Sequence, residues 1–101
     1  MREAYKALMM HGERLPADQA FYLATLGGAR ALGFADRIGS LAEGAEADVV
    51  VLDSRATPTM VHRAETVRDL DEELFLLMTL GDDRAVAATY VMGEPLHTRA
   101  A

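Results

Sequence analysis

A chain of 101 residues has the length of about one small domain, and 50% hydrophobic with 26% charged residues is a globular balance rather than a disordered one. Sixteen acidic against ten basic residues give a net charge of −6, which disfavours nucleic acids and anionic membrane surfaces, because both require clustered Lys and Arg. No cysteine is present, which excludes disulfides, thiolate nucleophiles and cysteine-based metal sites.

The sequence indicates neither a membrane span nor a signal peptide. Its longest apolar runs, Val49 to Leu52 and Leu74 to Met78, hold four or five residues, whereas a span needs roughly 20. Charged residues interrupt the apolar positions at the N-terminus, so a signal-peptide core is absent. We therefore expect a cytoplasmic protein.

The first third of the chain predicts two helices. Residues 2 to 11 have amphipathic spacing, and this helix begins at Met1 without a capping residue, which favours a longer native lead-in. Pro16 suits the first turn of a second helix, which Gly33 ends. One face of that helix holds mostly small residues, so we expect close approach by another element: Phe21, Ala24, Thr25, Gly28, Ala29 and Leu32.

The β signals begin after this second helix. Ile38 to Leu41 is typical of a short extended segment, Glu43-Gly44 of a turn, and Asp48 to Leu52 of a strand. Because the last segment is a continuous apolar run, we expect both of its faces to be covered. Residues 54 to 66 are predicted to be a linker, broken at Pro58.

A third helix and two strands complete the pattern. Thr66 or Asp69 caps a predicted helix over residues 67 to 80. Its acidic residues 71 to 73 are expected to face water near the N-terminal end. Its apolar residues form one stripe: Val67, Leu70, Leu74, Leu77 and Met78. Gly81 stops the helix, and the alternation that follows predicts a strand over Ala85 to Met92. The turn Gly93-Glu94 leads to a short strand at Pro95 to His97 and a loose tail over residues 98 to 101.

Together these elements predict an α+β fold with two N-terminal helices, then about three mostly antiparallel strands and one helix. We divide it into a helical segment over residues 1–33 and a sheet-bearing segment over residues 36–98. Three strands and one helix form only a thin layer with an open edge, which another chain or segment must cover.

Candidate ligand clusters are few. His11, His62 and His97 lie 51 and 35 residues apart, which is not a metal-ligand spacing. The acidic run at residues 69 to 73 is explained by charge at the solvated start of a helix rather than by a metal site. The glycines form no Gly-x-Gly-x-x-Gly pattern after a strand, so no dinucleotide site is predicted.

One polar corner, Asp82-Asp83-Arg84, is the candidate site. Its place between a helix and a strand favours a structural role, in which ion pairing or bonds to backbone N–H groups fix the turn. A role in binding a substrate or an interface is the alternative. Asp48, after a turn and beside a strand, is expected to make a local backbone hydrogen bond. We assign no catalytic, cofactor-binding or metal-binding residue in this chain.

Three stretches carry a family resemblance. Residues 24 to 33 (Ala-Thr-x-x-Gly-Ala-x-x-Leu-Gly) and residues 39 to 48 (Gly-x-Leu-x-x-Gly-x-x-Ala-Asp) resemble patterns that occur widely in the amidohydrolase superfamily. The corner Leu80-Gly81-Asp82-Asp83-Arg84, followed by Tyr90-Val91-x-Gly93, is similar to the guanine deaminases in particular. Over nearly its whole length the chain resembles the C-terminal portion of that family.

This resemblance implies a zinc-bearing (β/α)8 barrel flanked by a small β-sandwich built from both chain ends. Residues 1–33 would correspond to the last barrel helices, and residues 36–98 to the C-terminal share of the sandwich. The family binds zinc through a His-x-His pair, two further histidines and an aspartate, and this aspartate would precede Met1. Zinc activates the water that hydrolyses guanine to xanthine and ammonia. None of those ligands has a counterpart in this sequence, so no catalytic or metal role is carried over.

The leading interpretation is a C-terminal fragment of a guanine deaminase-like amidohydrolase, structural in role and inactive alone. Its partners would be the barrel and the N-terminal sandwich strands of the parent protein. The alternative from another class is a self-standing interaction module that dimerises through its open strand edge and the Gly27-Gly28 face. A third interpretation keeps the superfamily and changes the substrate to another aryl amine, of adenosine or chlorotriazine type. Substrate choice resides in barrel loops, so the sequence leaves the first and third interpretations open.

Overall fold

Five α-helices and three β-strands follow one another along residues 1–100, the part of the chain that the computed structural model describes. The helices are α1 (Arg2–Met10), α2 (Ala17–Ala24), α3 (Leu26–Leu32), α4 (Pro58–Ala64) and α5 (Leu70–Leu80), and the strands are β1 (Val49–Leu52), β2 (Val86–Val91) and β3 (Glu94–Thr98). The predicted α+β class is confirmed. None of these helices is long and apolar enough to cross a membrane.

The three strands form one antiparallel sheet in the order β1-β2-β3. Val49 at the start of β1 pairs with Tyr90, and Val91 pairs with Glu94 across the two-residue turn of the β2–β3 hairpin. Because β2 is central, β1 and β3 each keep an outer edge that no strand within residues 1–100 pairs. The predicted strands at residues 85–92 and 95–97 are confirmed.

Helix α5 lies between two small apolar clusters. Its residue Met78 packs with Leu15, Ala17 and Ala20, and Tyr5 and Leu8 of α1 pack against them. Its residue Leu76 packs with Met60, Ala64 and Ala85. One helix therefore connects the N-terminal helices with α4 and with the start of β2.

The predicted α5 ends at Leu80 as expected but begins at Leu70 rather than at residue 67, and its predicted buried face is partly wrong. Asp69 caps it, since its Oδ1 accepts the Glu72 N–H at 2.9 Å. Leu70, assigned to the apolar stripe, is 68% exposed, whereas Leu76, outside that stripe, is 1% exposed. The face shifts because α5 contacts clusters on two sides rather than a single layer.

The predicted second helix is wrong as one unit, because Thr25 divides it into α2 and α3. Thr25 has φ −120° and ψ −103°, outside the helical region, and its hydroxyl donates to the Phe21 carbonyl at 2.7 Å. Glycine permits the tight bend that follows, since a Cβ on Gly28 would lie 2.9 Å from the Leu23 carbonyl oxygen. Gly33 ends α3 in the left-handed conformation, as predicted.

The small-residue face of α3 is closely approached, as predicted. Gly39 has φ +94° and lies so near that a Cβ there would be 2.8 Å from the Ala29 Cβ and 3.0 Å from the Leu26 Cα. Ile38 to Leu41 is thus a bent segment packed on α3, and its prediction as extended structure is wrong. The turn at Glu43-Gly44 is confirmed.

The predicted linker over residues 54 to 66 is also wrong, because it contains α4. Thr57 caps this helix by accepting the Met60 N–H at 3.2 Å. Pro58 occupies the first turn, where a missing N–H leaves no intrahelical partner unsatisfied. Met60 is 0% exposed and anchors the helix in the core.

Two predictions about exposure are corrected as well. Val50, Val51 and Leu52 are 53%, 44% and 40% exposed among the described residues, so β1 is not covered on both faces. The tail is not loose at Thr98, which belongs to β3, or at Arg99, whose N–H donates to the Ala87 carbonyl. Residue 101 of the predicted tail lies outside the described residues.

Candidate functional site

The Asp82-Asp83-Arg84 corner joins α5 to β2 through one 3₁₀ turn, Asp83–Ala85. Asp82 caps that turn, because its Oδ1 accepts the Arg84 N–H at 2.9 Å. The Arg84 guanidinium bonds the same carboxylate, with Nη2 2.6 Å from Oδ2 and Nε 3.1 Å from Oδ1. These side-chain bonds, and then the backbone bond, hold the pKa of Asp82 below its usual value. The side-chain contacts of Asp82 and Arg84 stay within the turn, which favours the structural interpretation of the corner.

A second ion pair, not predicted from the sequence, lies beside this corner. Arg99 donates from Nη2 to Asp53 Oδ2 at 3.0 Å and from Nη1 to the Arg84 carbonyl at 2.7 Å. It thereby ties the end of β3 to the end of β1 and to the corner. The Arg55 backbone N–H, and then the Arg99 side chain, lower the pKa of Asp53. Asp53 and Arg99 are 46 residues apart, so no local pattern links them.

An open groove of about 530 Å³ lies at this end of the sheet. The ion-pair residues and three further polar side chains line it: Asp53, Arg55, Asp83, Arg84, His97 and Arg99. Within residues 1–100 the side chains of Arg55, Asp83 and His97 make no hydrogen bond or ion pair. The groove therefore combines fixed and unengaged charges.

The three histidines lie on separate elements. His11 follows α1, His62 is in α4 and His97 is in β3. Across the described chain, no three His, Asp or Glu side chains come close enough together to hold a metal ion. We therefore derive no metal-assisted reaction step from residues 1–100.

The acidic run at the start of α5 is engaged in protein contacts. Arg68 bonds the Glu72 carboxylate through its guanidinium at 2.7 Å, and this side-chain contact is the main reason that the pKa of Glu72 is lowered. The buried Ser54 hydroxyl donates to Glu73 Oε1 at 2.7 Å. The expectation that residues 71 to 73 face water is wrong for these two glutamates and right for Asp71.

Asp48 makes a backbone hydrogen bond, but not a local one. Its Oδ1 accepts the Met92 N–H at 2.9 Å, and the adjacent Ala47 carbonyl accepts the Gly93 N–H at 3.0 Å. The residues before β1 therefore hold the tip of the β2–β3 hairpin. The predicted hydrogen bond between Asp48 and the backbone is confirmed, but the prediction that its partner is near in sequence is wrong. The sheet brings the hairpin turn to the start of β1, so the partner comes from 44 residues away.

This arrangement recurs in known proteins. Residues 1–96 match the model of the amidohydrolase family. The chain is 50% identical to the guanine deaminase of Escherichia coli strain K12 over 99 residues, which are 98% of this chain and 23% of that enzyme. The chain therefore spans about a quarter of the length of this curated relative.

Two solved structures share the fold. E. coli guanine deaminase superposes with a TM-score of 0.95 at 49% identity, over 98% of this chain and 23% of the other. An adenosine deaminase from Xanthomonas campestris with bound zinc superposes with a TM-score of 0.67 at 33% identity, over 84% of this chain and 18% of the other. The resemblance to the guanine deaminases is confirmed.

Proposed function

Since the chain belongs to the amidohydrolase family, we propose that it is the C-terminal portion of a guanine deaminase-like enzyme and has a structural role there. The observation that carries this proposal is the 50% identity to E. coli guanine deaminase over 98% of the chain. In this proposal residues 1–33 belong to the end of the barrel and residues 36–98 to the β-sandwich. The Asp82-Asp83-Arg84 corner fixes the junction between α5 and the sheet.

The parent enzyme of this proposal acts in the cytoplasm and hydrolyses guanine to xanthine and ammonia. A zinc ion supplies the activated water of that reaction, and the Xanthomonas campestris adenosine deaminase carries bound zinc. Residues 1–100 do not fit a zinc site, because no three possible ligands lie together in them. We therefore assign the zinc ligands and the catalytic groups to the remainder of the parent protein.

Exposed apolar surface supports a role as one part of a larger structure. Val50, Val51 and Leu52 of β1 are each at least 40% exposed, and the outer edge of this strand is unpaired in the described chain. Such an edge exposes backbone hydrogen-bonding groups and apolar side chains that associate readily. We propose that the rest of the parent chain covers this strand.

A chimera tests the proposal. The 99 matching residues of E. coli guanine deaminase are replaced by the corresponding residues of this chain, and xanthine formation from guanine is measured. We expect an active chimera, because the interchanged segments share the fold and carry no catalytic group. The E. coli enzyme truncated before these residues, and this chain alone, are expected to be inactive. A soluble, zinc-loaded chimera as inactive as the truncated enzyme would contradict the structural role.

A self-standing interaction module is the second candidate, and the outer edges of β1 and β3, which no strand within residues 1–100 pairs, favour it. The Gly27-Gly28 face does not, since a Cβ on Gly27 would lie 2.7 Å from the Tyr22 side chain of the same chain. Self-association is therefore expected at the strand edge. Sedimentation equilibrium compares the chain with its Val50→Lys variant, because a charge on an edge strand opposes pairing. A monomer in both cases would argue against this candidate.

Another aryl amine as substrate is a third possibility, supported by the likeness to an adenosine deaminase. The TM-score of 0.67 for that structure, against 0.95 for guanine deaminase, favours guanine. Assay of the complete parent protein on guanine and adenosine side by side decides between the two.

A further inference from the structure

The groove beside the corner has more cationic donors than the fold uses. Arg84 bonds through Nε and Nη2, and Arg99 through Nη1 and Nη2, which leaves one nitrogen of each guanidinium unused within residues 1–100. The Arg55 guanidinium bonds to nothing in that part of the chain, although its backbone N–H donates to Asp53. All three residues line the same groove.

Two of these guanidiniums are held in place without a ligand. The Asp82 carboxylate fixes Arg84 by two parallel bonds, and Asp53 together with the Arg84 carbonyl fixes Arg99. A donor that is already ordered loses less conformational entropy when it binds. The planar fork of an arginine also matches the oxygens of an oxyanion.

The arginines of the groove differ in whether a carboxylate already pairs with them. Three arginines and two aspartates line the groove, and a third carboxylate, that of Asp82, pairs with Arg84 beside it. Asp82 and Asp53 form ion pairs with Arg84 and Arg99, whereas the Arg55 guanidinium forms no ion pair within residues 1–100. Arg55 is therefore the guanidinium of this groove that keeps all of its side-chain donors for an anion, among the described residues.

We propose that this groove binds a small tetrahedral oxyanion of the phosphate class. Arg55 is the principal donor, and the unused nitrogens of Arg84 and Arg99 complete the site. His97 and Arg99 lie beyond residue 96, where the match to the family model ends, so the site includes residues outside that match. Binding is weak and sensitive to salt, because the groove is open and the Arg84 side chain is 64% exposed. The proposal goes beyond the structural role and does not depend on it.

Titration of the isotope-labelled chain with inorganic phosphate tests the site by NMR at constant ionic strength. We expect saturable shifts at the Nε signals of Arg55, Arg84 and Arg99 and at the His97 ring. Arg55→Gln is expected to weaken binding about threefold to fivefold, the range of an exposed charge pair. Arg14→Gln is the matched control, since Arg14 is exposed, lacks a side-chain partner in residues 1–100 and lies outside this groove.

Shifts that are equal with chloride, that never saturate, or that respond alike to both substitutions would overturn the proposal. A parallel titration with a nucleoside monophosphate identifies the source of the phosphate group: tighter binding than inorganic phosphate indicates a nucleotide, and equal binding the free anion. The same phosphate titration of the chimera and its Arg55→Gln variant, followed by the thermal unfolding midpoint, gives a second test in a larger protein. A phosphate-dependent rise that Arg55→Gln leaves unchanged would also overturn the proposal.

Discussion

Replacing Met60 by alanine decides whether residues 54 to 66 are a core element or a linker. Met60 is 0% exposed and packs with Ala64, Leu76 and Ala85. Truncating a buried methionine to alanine costs about 2–5 kcal/mol in the free energy of unfolding. Two of its three buried neighbours are alanines, which are too short to fill the void. We therefore expect a loss above the lower end of this range, of about 3–4 kcal/mol.

The assay is urea unfolding of the chain followed by far-ultraviolet circular dichroism. Met10→Ala is the matched control, because Met10 is 87% exposed and its loss should change the free energy of unfolding by no more than about 0.5 kcal/mol. If the slope of the free energy of unfolding against urea concentration is unchanged, both variants expose a similar surface area when they unfold. A loss below about 1 kcal/mol for Met60→Ala, or equal losses for the two variants, would refute the assignment of α4 to the core.

Three further predictions concern other contacts. Gly39→Ala should lower the free energy of unfolding by about 1–3 kcal/mol more than Gly44→Ala. Both residues have positive φ, but only at Gly39 would a Cβ meet α3. Equal losses of unfolding free energy for the two variants, measured with urea, would contradict this contact. Asp69→Ala removes the cap of α5 and should cost about 1 kcal/mol, so an unchanged urea midpoint would argue against the cap. The pKa values of Asp53 and Asp82 are lowered on folding, so their stabilisation is present above the ordinary value of 3.8 and is lost as the pH falls below it toward the folded-state values. Thermal midpoints measured from about pH 6 to pH 3 should therefore fall more steeply for the unmodified chain than for its Asp53→Asn, Asp82→Asn variant, and parallel curves would exclude these carboxylates as the cause.

The sequence predicts a helix or a hairpin well where particular residues mark its ends or its turn. Asp69 and Gly81 delimit α5, and the turn around Gly93 delimits the β2–β3 hairpin. The dipeptide Thr57-Pro58 was ambiguous, because proline both breaks helices and begins them. The burial of Met60 and the hydrogen bond from its N–H to the Thr57 hydroxyl show that it begins one here.

The sequence alone determined the α+β class, the limits of α1, the end of α5, the antiparallel strands and the family resemblance, because these depend on stop signals, alternation and short motifs within a few residues. Tertiary structure decided the contacts that make up the candidate site and its surroundings. Asp53 meets Arg99 across 46 residues, and Asp48 meets Met92 across 44. Gly39 reaches α3 through a bend that no periodicity encodes. Such pairs form only after β1 docks on β2 and the helices pack around α5, so their geometry depends on packing between distant segments rather than on local propensity.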